Sequence, residues 1–443
     1  MTDPEIRLQM RQDWDRRARE DACYYTAYGR RSQTEEEFFT TAGDVLHAIQ
    51  SELDRFPPGT DWRQLAALEI GCGPGRLLAP LSGVFGRVVG VDVSPEMIER
   101  ARRNLEGIPN ASVQLSSGAD LAGFAEGSFD FCYSYAVFQH IPSREVVFNY
   151  LREARRVLNT GGFLKCQLNG LPEADRRRAD TWDGARFDSQ EIRRFCREED
   201  FQLLLLEGEN TPNLWMTARK QPCRWARALG PVPGARILRI TNTYTGDLVV
   251  PSAGRFASAS LWVENLSPDS DLNNLEVEIA GRRCAPCYLG LGRKGRDQVN
   301  VYLPAEAPTG MLRVRLWMLG EPISPFALMR MIPPPPPAPR LLSVTDGVNL
   351  LSTTRIETRS LKLNLEEVGE TTAAALPAAL RVSIDGQALE DLEAFRIDPL
   401  AQRYAVNVKI PPEIPEGPHE LDVALGRRSF GPLAIQIVDS PPA

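Results

Sequence analysis

Leu68-Glu69-Ile70-Gly71-Cys72-Gly73-Pro74-Gly75-Arg76-Leu77-Leu78 is an apolar run that breaks into three glycines at alternate positions and resumes as leucines at helical spacing with Leu81. Such a stretch reads as a strand, a tight turn and a helix start. Glycines suit it because the backbone must turn sharply and approach a ligand, while the free amides of the first helical turn face whatever polar group occupies the cleft. Alone, the motif fits an ordinary strand-to-helix turn equally well. Arg87-Val88-Val89-Gly90-Val91-Asp92 shifts the balance, because a second β-branched run ends in an acid 21 residues after Gly71. An acid at a strand end can accept hydrogen bonds from both ribose hydroxyls. The two elements together point to a nucleoside-binding α/β domain.

A dinucleotide fingerprint needs a third glycine three residues after the second, and that position is Arg76. NAD is therefore disfavoured. The stretch Leu68 to Arg76, followed by Val91-Asp92-Val93-Ser94, resembles the first two motifs of class I S-adenosylmethionine-dependent methyltransferases. Gly118-Ala119-Asp120-Leu121, Ser128-Phe129-Asp130, Phe138-Gln139-His140-Ile141, Leu151 to Leu158 and Gly161-Gly162-Phe163 extend the resemblance across the first half of the chain. The resemblance implies a Rossmann-like seven-stranded α/β domain and S-adenosyl-L-methionine as cofactor. Gly71, Gly73 and Gly75 would shape the methionine side of the pocket, Asp92 with Val93 would hold the ribose, and Gly118, Ala119 and Asp120 would meet the adenine. Ser134 and Tyr135 would line the cleft near the methyl group. One departure stands out: Gly118 falls where the family often has an acid, and Asp120 lies two residues later.

The chain has 443 residues, 43% hydrophobic and 25% charged, so two to three domains are expected. Residues 1–220 carry 28 Lys/Arg against 34 Asp/Glu and the remainder 23 against 24, giving the net charge of −7. No basic excess recruits nucleic acid. The first 20 residues are too charged for a signal peptide and no stretch is long and apolar enough for a membrane span, so a cytoplasmic protein with no membrane partner is expected. Eight scattered cysteines read as buried thiols of a reducing compartment. Cys284 and Cys287 have ligand-like spacing but lack the second pair a zinc site needs, so no metal is expected.

Ile6, Met10, Trp14 and Ala18 recur at helical spacing before Tyr24 and Tyr25, which would either close over the bound donor or fix this helix to the domain. Residues 35–56 read as a helix stopped by Pro57-Pro58-Gly59. Ser94 and Pro95 suit an N-cap and first helical position, placing Met97 either against the adenine or in the core. His140 opens the segment after the fourth strand, as a base accepting the acceptor's proton or as a residue that only bonds a loop. Helix 143–158 should end in a turn at 159–162 leading to a strand at 163–168. An irregular insert over 169–188 holds Arg176, Arg177 and Arg178, which read as an attractor of an anionic acceptor or as a solvated face. Residues 201–207 and 214–219 form two strands too close for an intervening helix, and the terminal antiparallel hairpin they imply is independent support for the resemblance.

Past a linker at 221–234 the period becomes alternating, and an internal duplication appears. Arg236 to Thr241 matches Arg340 to Thr345, Leu275 to Gly281 matches Leu380 to Gly386, and Val299 to Gly310 matches Val406 to Gly417. Each copy, 235–332 and 340–443, has the size and strand pattern of an immunoglobulin-like sandwich, with a stiff proline spacer at 333–339. Tyr244, Trp262, Tyr288 and Trp317 are either core or platforms for sugar rings. The expected protein is a methyltransferase domain (1–220) acting on the O or N of a small-molecule or glycan acceptor. Two β-sandwiches would assemble it, as a homo-oligomer for example, or position its acceptor. The competing expectation is a non-catalytic nucleoside-sensing scaffold.

Overall fold

The computed structural model describes the chain apart from residues 1–2, 28–33, 35–37, 40, 173–179, 223–229, 232–233, 255, 294–295, 305–306, 337, 348–353, 370–373, 399–401 and 439–443. The arginine run at 176–178 lies outside the described residues. Seven strands build the amino-terminal sheet: β1 (Ala66–Ile70), β2 (Arg87–Asp92), β3 (Ala111–Leu115), β4 (Phe129–Ser134), β5 (Leu158–Leu168), β6 (Phe201–Glu207) and β7 (Leu214–Lys220). Their order is β3-β2-β1-β4-β5-β7-β6. All neighbours up to β5 run parallel, and β7 is antiparallel to both β5 and β6. The hairpin read from the sequence is thus present.

Local chemistry explains the flanking helices. Helix Pro95–Asn104 begins where the Ser94 hydroxyl accepts from Met97 N at 3.1 Å and Pro95 supplies a preset φ. Helix Arg144–Val157 is capped the same way by Ser143, and helix Ser189–Glu198 by Asp188. Two boundaries differ from the sequence reading. Within the helix expected over 35–56, of which 35–37 and 40 lie outside the described residues, Phe38 and Phe39 are helical and Gly43–Leu53 forms a regular helix. The turn expected at 159–162 lies inside β5, where Gly161 at φ +90° makes an irregularity in the pairing with β4.

The main departure concerns the first sandwich, expected as a separate domain. The sheet does not stop at β6. Tyr288 pairs antiparallel with Leu205, and the order continues from β6 into β13 (Tyr288–Arg293), β14 (Arg296–Tyr302), β10 (Ser258–Glu264) and β8 (Arg236–Asn242), giving eleven strands. The Leu206 amide donates to the Cys287 carbonyl at 2.9 Å and the Leu272 amide to the Leu203 carbonyl at 2.9 Å. Arg55 bonds the Leu289 carbonyl, and Arg193 bonds those of Leu272 and Pro286. Leu203 and Leu206 share one hydrophobic core with Leu289, Val299 and Val301. Residues 1–22, 35–252 and 257–333 accordingly form one compact unit. An edge strand left open by β6 would expose unpaired amides and carbonyls, and the sandwich covers that edge.

A second sheet, in the order β12 (Arg282–Cys284), β11 (Leu275–Ile279), β15 (Gly310–Met318), β17 (Ala327–Ile332), β9 (Val249–Pro251), completes the first sandwich. The other compact unit comprises residues 23–34, 253–256 and 334–443. It repeats the arrangement, with β18 (Arg340–Asp346), β20 (Ser360–Glu366), β24 (Arg403–Lys409) and β23 (Leu392–Asp398) in one sheet. β19 (Arg355–Ile356), β27 (Leu433–Ile437), β25 (Gly417–Leu425), β21 (Leu380–Ile384) and β22 (Gln387–Ala388) form the facing sheet. Leu363 and Val406 from one sheet pack with Val382 and Val423 from the other. Strand for strand, β13-β14-β10-β8 corresponds to β23-β24-β20-β18, so the duplication seen in the sequence is a duplication of topology. Among the described residues no helix is long and apolar enough to cross a membrane.

Candidate active site

The glycine turn sits at the carboxyl end of β1, beside the end of β2, where open α/β sheets bind ligands. Gly71 has φ +77°, and a Cβ there would lie 2.3 Å from Val137 Cγ2, so both the backbone angle and the close approach require glycine. The amides of Gly71 and Cys72 both donate to the Val91 carbonyl, at 2.8 and 3.0 Å. Gly73 and Gly75 also have positive φ, +50° and +86°. Asp92 fixes the turn from the neighbouring strand: Oδ2 accepts from Gly73 N and Oδ1 from Ser94 N, each at 2.9 Å. Burial raises the Asp92 carboxyl above the ordinary range, and these amide donors oppose the rise. The Val93 amide also lowers the carboxyl, and the four lone-pair sites of the two oxygens exceed these three amide donors.

The second turn of the cleft comes from β3. Gly118 has φ +84°, and a side chain there would meet Val93 Cγ2 at 3.0 Å, so Val93 and Gly118 close the space between the two strand ends. Ser117 Oγ accepts from the amides of Ala119 and Asp120, both at 3.2 Å, and the Ala119 carbonyl accepts from Asn149 Nδ2 at 2.8 Å. Asp120 Oδ1 accepts from Ala122 N at 3.2 Å, which holds that carboxylate to its own loop.

Helix Asp3–Ala27 runs over this cleft up to a break at Asp21 (φ −163°, ψ 90°). Arg7 and Met10 lie over the Gly118 turn, each 3.8 Å from where its Cβ would stand. Asp15 Oδ1 accepts from Ser94 Oγ and Glu96 N, both at 3.0 Å, setting a carboxylate on the positive end of helix Pro95–Asn104. On the opposite wall Arg17 donates to the Thr181 carbonyl (2.9 Å) and hydroxyl (3.2 Å), and its guanidinium lies between the Trp14 and Trp182 rings at 4.8 and 5.1 Å. Thr181 Oγ1 donates to Asp13 Oδ2 at 2.7 Å. One helix therefore ties the donor-side turn to the loop after β5.

Met97 is buried against Ala18, Ala22 and Trp14 of that helix, and Met10 is the methionine over the Gly118 turn. Tyr24 and Tyr25 lie past the break, edge to face at 5.0 Å, and group with the second compact unit. Ser134 is buried and donates from Oγ to the Ile70 carbonyl at 2.9 Å, so its hydroxyl ties β4 to β1. Tyr135 stacks on Trp215 with ring centroids 5.6 Å apart and planes 9° from parallel, and the Arg76 guanidinium is 5.9 Å from the Tyr135 ring. Ala136 follows in the left-handed region, φ +56°, its amide donating to Gln167 Oε1 at 3.0 Å. A non-glycine residue held there marks strain at the strand end.

His140 is buried, with Trp14 and Trp182 rings at 5.3 and 5.2 Å. Its Nδ1 is 2.7 Å from the Trp182 carbonyl, which can only accept, so Nδ1 carries the proton. Nε2 lies 3.1 Å from the Gln139 amide nitrogen, which donates to it. Burial pushes the ring down to about 4. Both nitrogens are committed to the loop, which describes a positioning residue better than a proton acceptor.

Two buried groups were missed in the sequence. Glu69 on β1 accepts from Tyr133 O–H at 3.0 Å, and burial pushes its carboxyl up to about 8. Arg76 is 5% exposed, donates to the carbonyl and hydroxyl of Thr41, and keeps a buried Nε with no protein partner. The cleft suits the donor's parts: bare backbone at the glycine turn, a carboxylate with acceptor capacity at Asp92, and an unspent N–H on Arg76 for an anionic group. Cys287 Sγ is buried 3.6 Å from Glu207 Oε1, and among the described residues no three His, Cys, Asp or Glu gather as metal ligands.

The family model of the methyltransferase domain matches residues 68–166. An uncharacterized 37.1 kDa protein of a Streptomyces fradiae transposon is 40% identical over 113 residues, 25% of this chain and 31% of that one. A ubiquinone biosynthesis O-methyltransferase of Xanthomonas oryzae is 30% identical over 132 residues, 29% of this chain and 54% of that one. The chain thus spans a third to about half of the length of these relatives. Phosphoethanolamine N-methyltransferase 1 of Haemonchus contortus aligns at 18% identity and a TM-score of 0.37, covering 52% of each chain. Magnesium protoporphyrin IX methyltransferase of Synechocystis aligns at 15% and 0.36, covering 49% of this chain and 97% of that one. The matched segment, residues 68–166, holds the glycine turn, Asp92 and the Gly118 turn, so the cleft lies within the part of the chain that is similar to the methyltransferase domain.

Proposed function

We propose that the protein transfers the methyl group of S-adenosylmethionine to an oxygen or nitrogen of a small-molecule or sugar-containing acceptor. The carrying observation is the Asp92 carboxylate locked onto the glycine turn at Gly73. It holds the turn open and keeps acceptor capacity beyond its amide donors. The cofactor supplies an electrophilic methyl group on a sulfonium sulfur. The chain's residues do the rest: Asp92 receives the ribose hydroxyls, the Ala119 backbone meets the adenine edge, and Arg76 Nε meets the donor's carboxylate. Helix Asp3–Ala27 excludes water from above. Transfer then needs only alignment of the nucleophile with the methyl group, which matches a site whose histidine is already engaged.

The stacked Tyr135 and Trp215, with Lys165 5.2 Å from the indole, form the acceptor side and favour a planar or ring-bearing acceptor. The first sandwich serves as the second wall of the enzyme's core. Incubating the full chain with isotopically labelled S-adenosylmethionine and a cell extract, followed by untargeted mass spectrometry, tests this reading. A labelled product that disappears with Asp92→Ala supports it; donor binding without any labelled product supports the sensing scaffold instead.

A further inference from the structure

The outward face of the second sheet of the first sandwich departs from an ordinary solvated surface. Along β15 the side chains of Leu312, Val314, Leu316 and Met318 are buried, so Met311, Arg313, Arg315 and Trp317 point out. Across the pairing with β17, Met311 stands opposite Arg330 and Arg313 opposite Leu328. The Arg315 guanidinium lies 4.3 Å from the Phe326 ring and 4.6 Å from Trp317, whose ring also carries Arg283 at 3.6 Å. Eleven large apolar side chains stand exposed among the described residues, and five of them, Leu248, Met311, Leu319, Phe326 and Leu328, are on or beside this sheet. Arginine with Trp, Phe and Met is the composition of a protein interface.

The duplication supplies an internal reference. Register equates Arg313 with Glu420 and Arg315 with Asp422, because Val314 and Leu421 hold matching places in the two ladders. Trp317 corresponds to Ala424, Leu328 to Ala434 and Arg330 to Gln436. At these positions the face is basic and bulky in the first copy, acidic and small in the second; beside them Arg315 pairs with Glu278 at 2.9 Å and Arg283 with Glu276 at 3.3 Å on the first face, and the exposed Arg381 stands opposite Ala424 on the second, so Arg313 and Arg330 against Glu420 and Asp422 carry the contrast. Two first-copy faces would set arginine against arginine, whereas a first-copy face on a second-copy face matches charge to charge and large to small.

We propose that this is a self-association surface: the β15–β17 face of one molecule docks on the β25–β27 face of another copy of the chain. This holds whether or not methyl transfer is the activity. Its test is sedimentation equilibrium of the full chain over a concentration series at about 0.05 M and about 0.5 M salt. The expected result is a mass that is a multiple of the 49.2 kDa chain, with association weakened by salt. Arg313→Glu with Arg330→Glu weakens association by roughly tenfold or more, Glu420→Arg with Asp422→Arg does the same, and all four changes together restore it. All four substitutions fall at non-buried strand positions, and circular dichroism confirms that each variant is folded before it is scored. A single chain mass at every concentration, or association untouched by both pairs of reversals, or no recovery in the combined variant, overturns the proposal.

Discussion

Asp92 ties more of the site together than any other side chain, because its two oxygens hold the amides of Gly73 in the glycine turn and Ser94 at the start of helix Pro95–Asn104. Asp92→Ala removes charge-assisted bonds and is expected to weaken donor binding by about 1.5–3 kcal/mol in calorimetric titration. Glu69 offers a pH test. Its folded value of about 8 lies above the ordinary 4.5, so the stability it contributes is complete below about pH 4.5 and is lost as pH rises toward 8. Glu69→Gln, which cannot titrate, is expected to flatten the fall in urea midpoint between pH 5 and 8; an unchanged slope would remove Glu69 as its source. His140, pushed to about 4, stays neutral across the working range, so turnover should show no inflection from it near pH 6.5. His140→Ala should disturb the Trp182 loop, raising KM more than it lowers kcat.

Asp92 and the glycines were legible because their spacing is short and their backbone angles allow little but glycine. Ser134 and Met97 were legible as positions but not as contacts. Each could turn to the cleft or to the core, and the Ile70 carbonyl and the helix around Ala18 decide the matter from elsewhere in the chain.

Between elements, the amino-terminal helix is the part most easily loosened without unfolding the sheet. Asp15 ties it to helix Pro95–Asn104 and Arg17 to the loop at Thr181. Asp15→Ala with Arg17→Ala should speed donor dissociation by roughly tenfold, as two lost charge-assisted bonds imply, while leaving the midpoint of thermal unfolding within a few degrees. Stopped-flow displacement reads the first and calorimetry the second. The helix was visible in the sequence from Ile6, Met10 and Trp14, but its target was not, since periodicity reports a buried stripe and never what buries it. The same limit hid the join between β6 and β13. A pairing of Leu205 with Tyr288, 83 residues apart, leaves no local signature beyond two ordinary strands. Leu289→Ala, in the core shared by both sheets, should cost about 2–5 kcal/mol of stability and lower the unfolding midpoint of the whole first unit at once.

For the molecule as a whole, the continuous sheet changes what counts as one folded unit. Residues 1–220, which look complete from their motifs, leave β6 as an open sheet edge that β13 of the first sandwich covers in the full chain, so expressed alone they should be insoluble or unfolded. Residues 1–333 should unfold in one cooperative transition, and two transitions would separate the methyltransferase sheet from the sandwich. The duplicated topology was readable because it repeats strand by strand. The continuation of the amino-terminal sheet into the first copy was not, since that is decided by which sheet edge is left bare. All of this rests on the glycine turn and Asp92 forming a seat for a sulfonium nucleoside. Isothermal titration of the full chain with S-adenosylmethionine tests that most directly: the expected result is saturable one-to-one binding that Asp92→Ala weakens, and heat of dilution alone, or binding indifferent to that substitution, would contradict it.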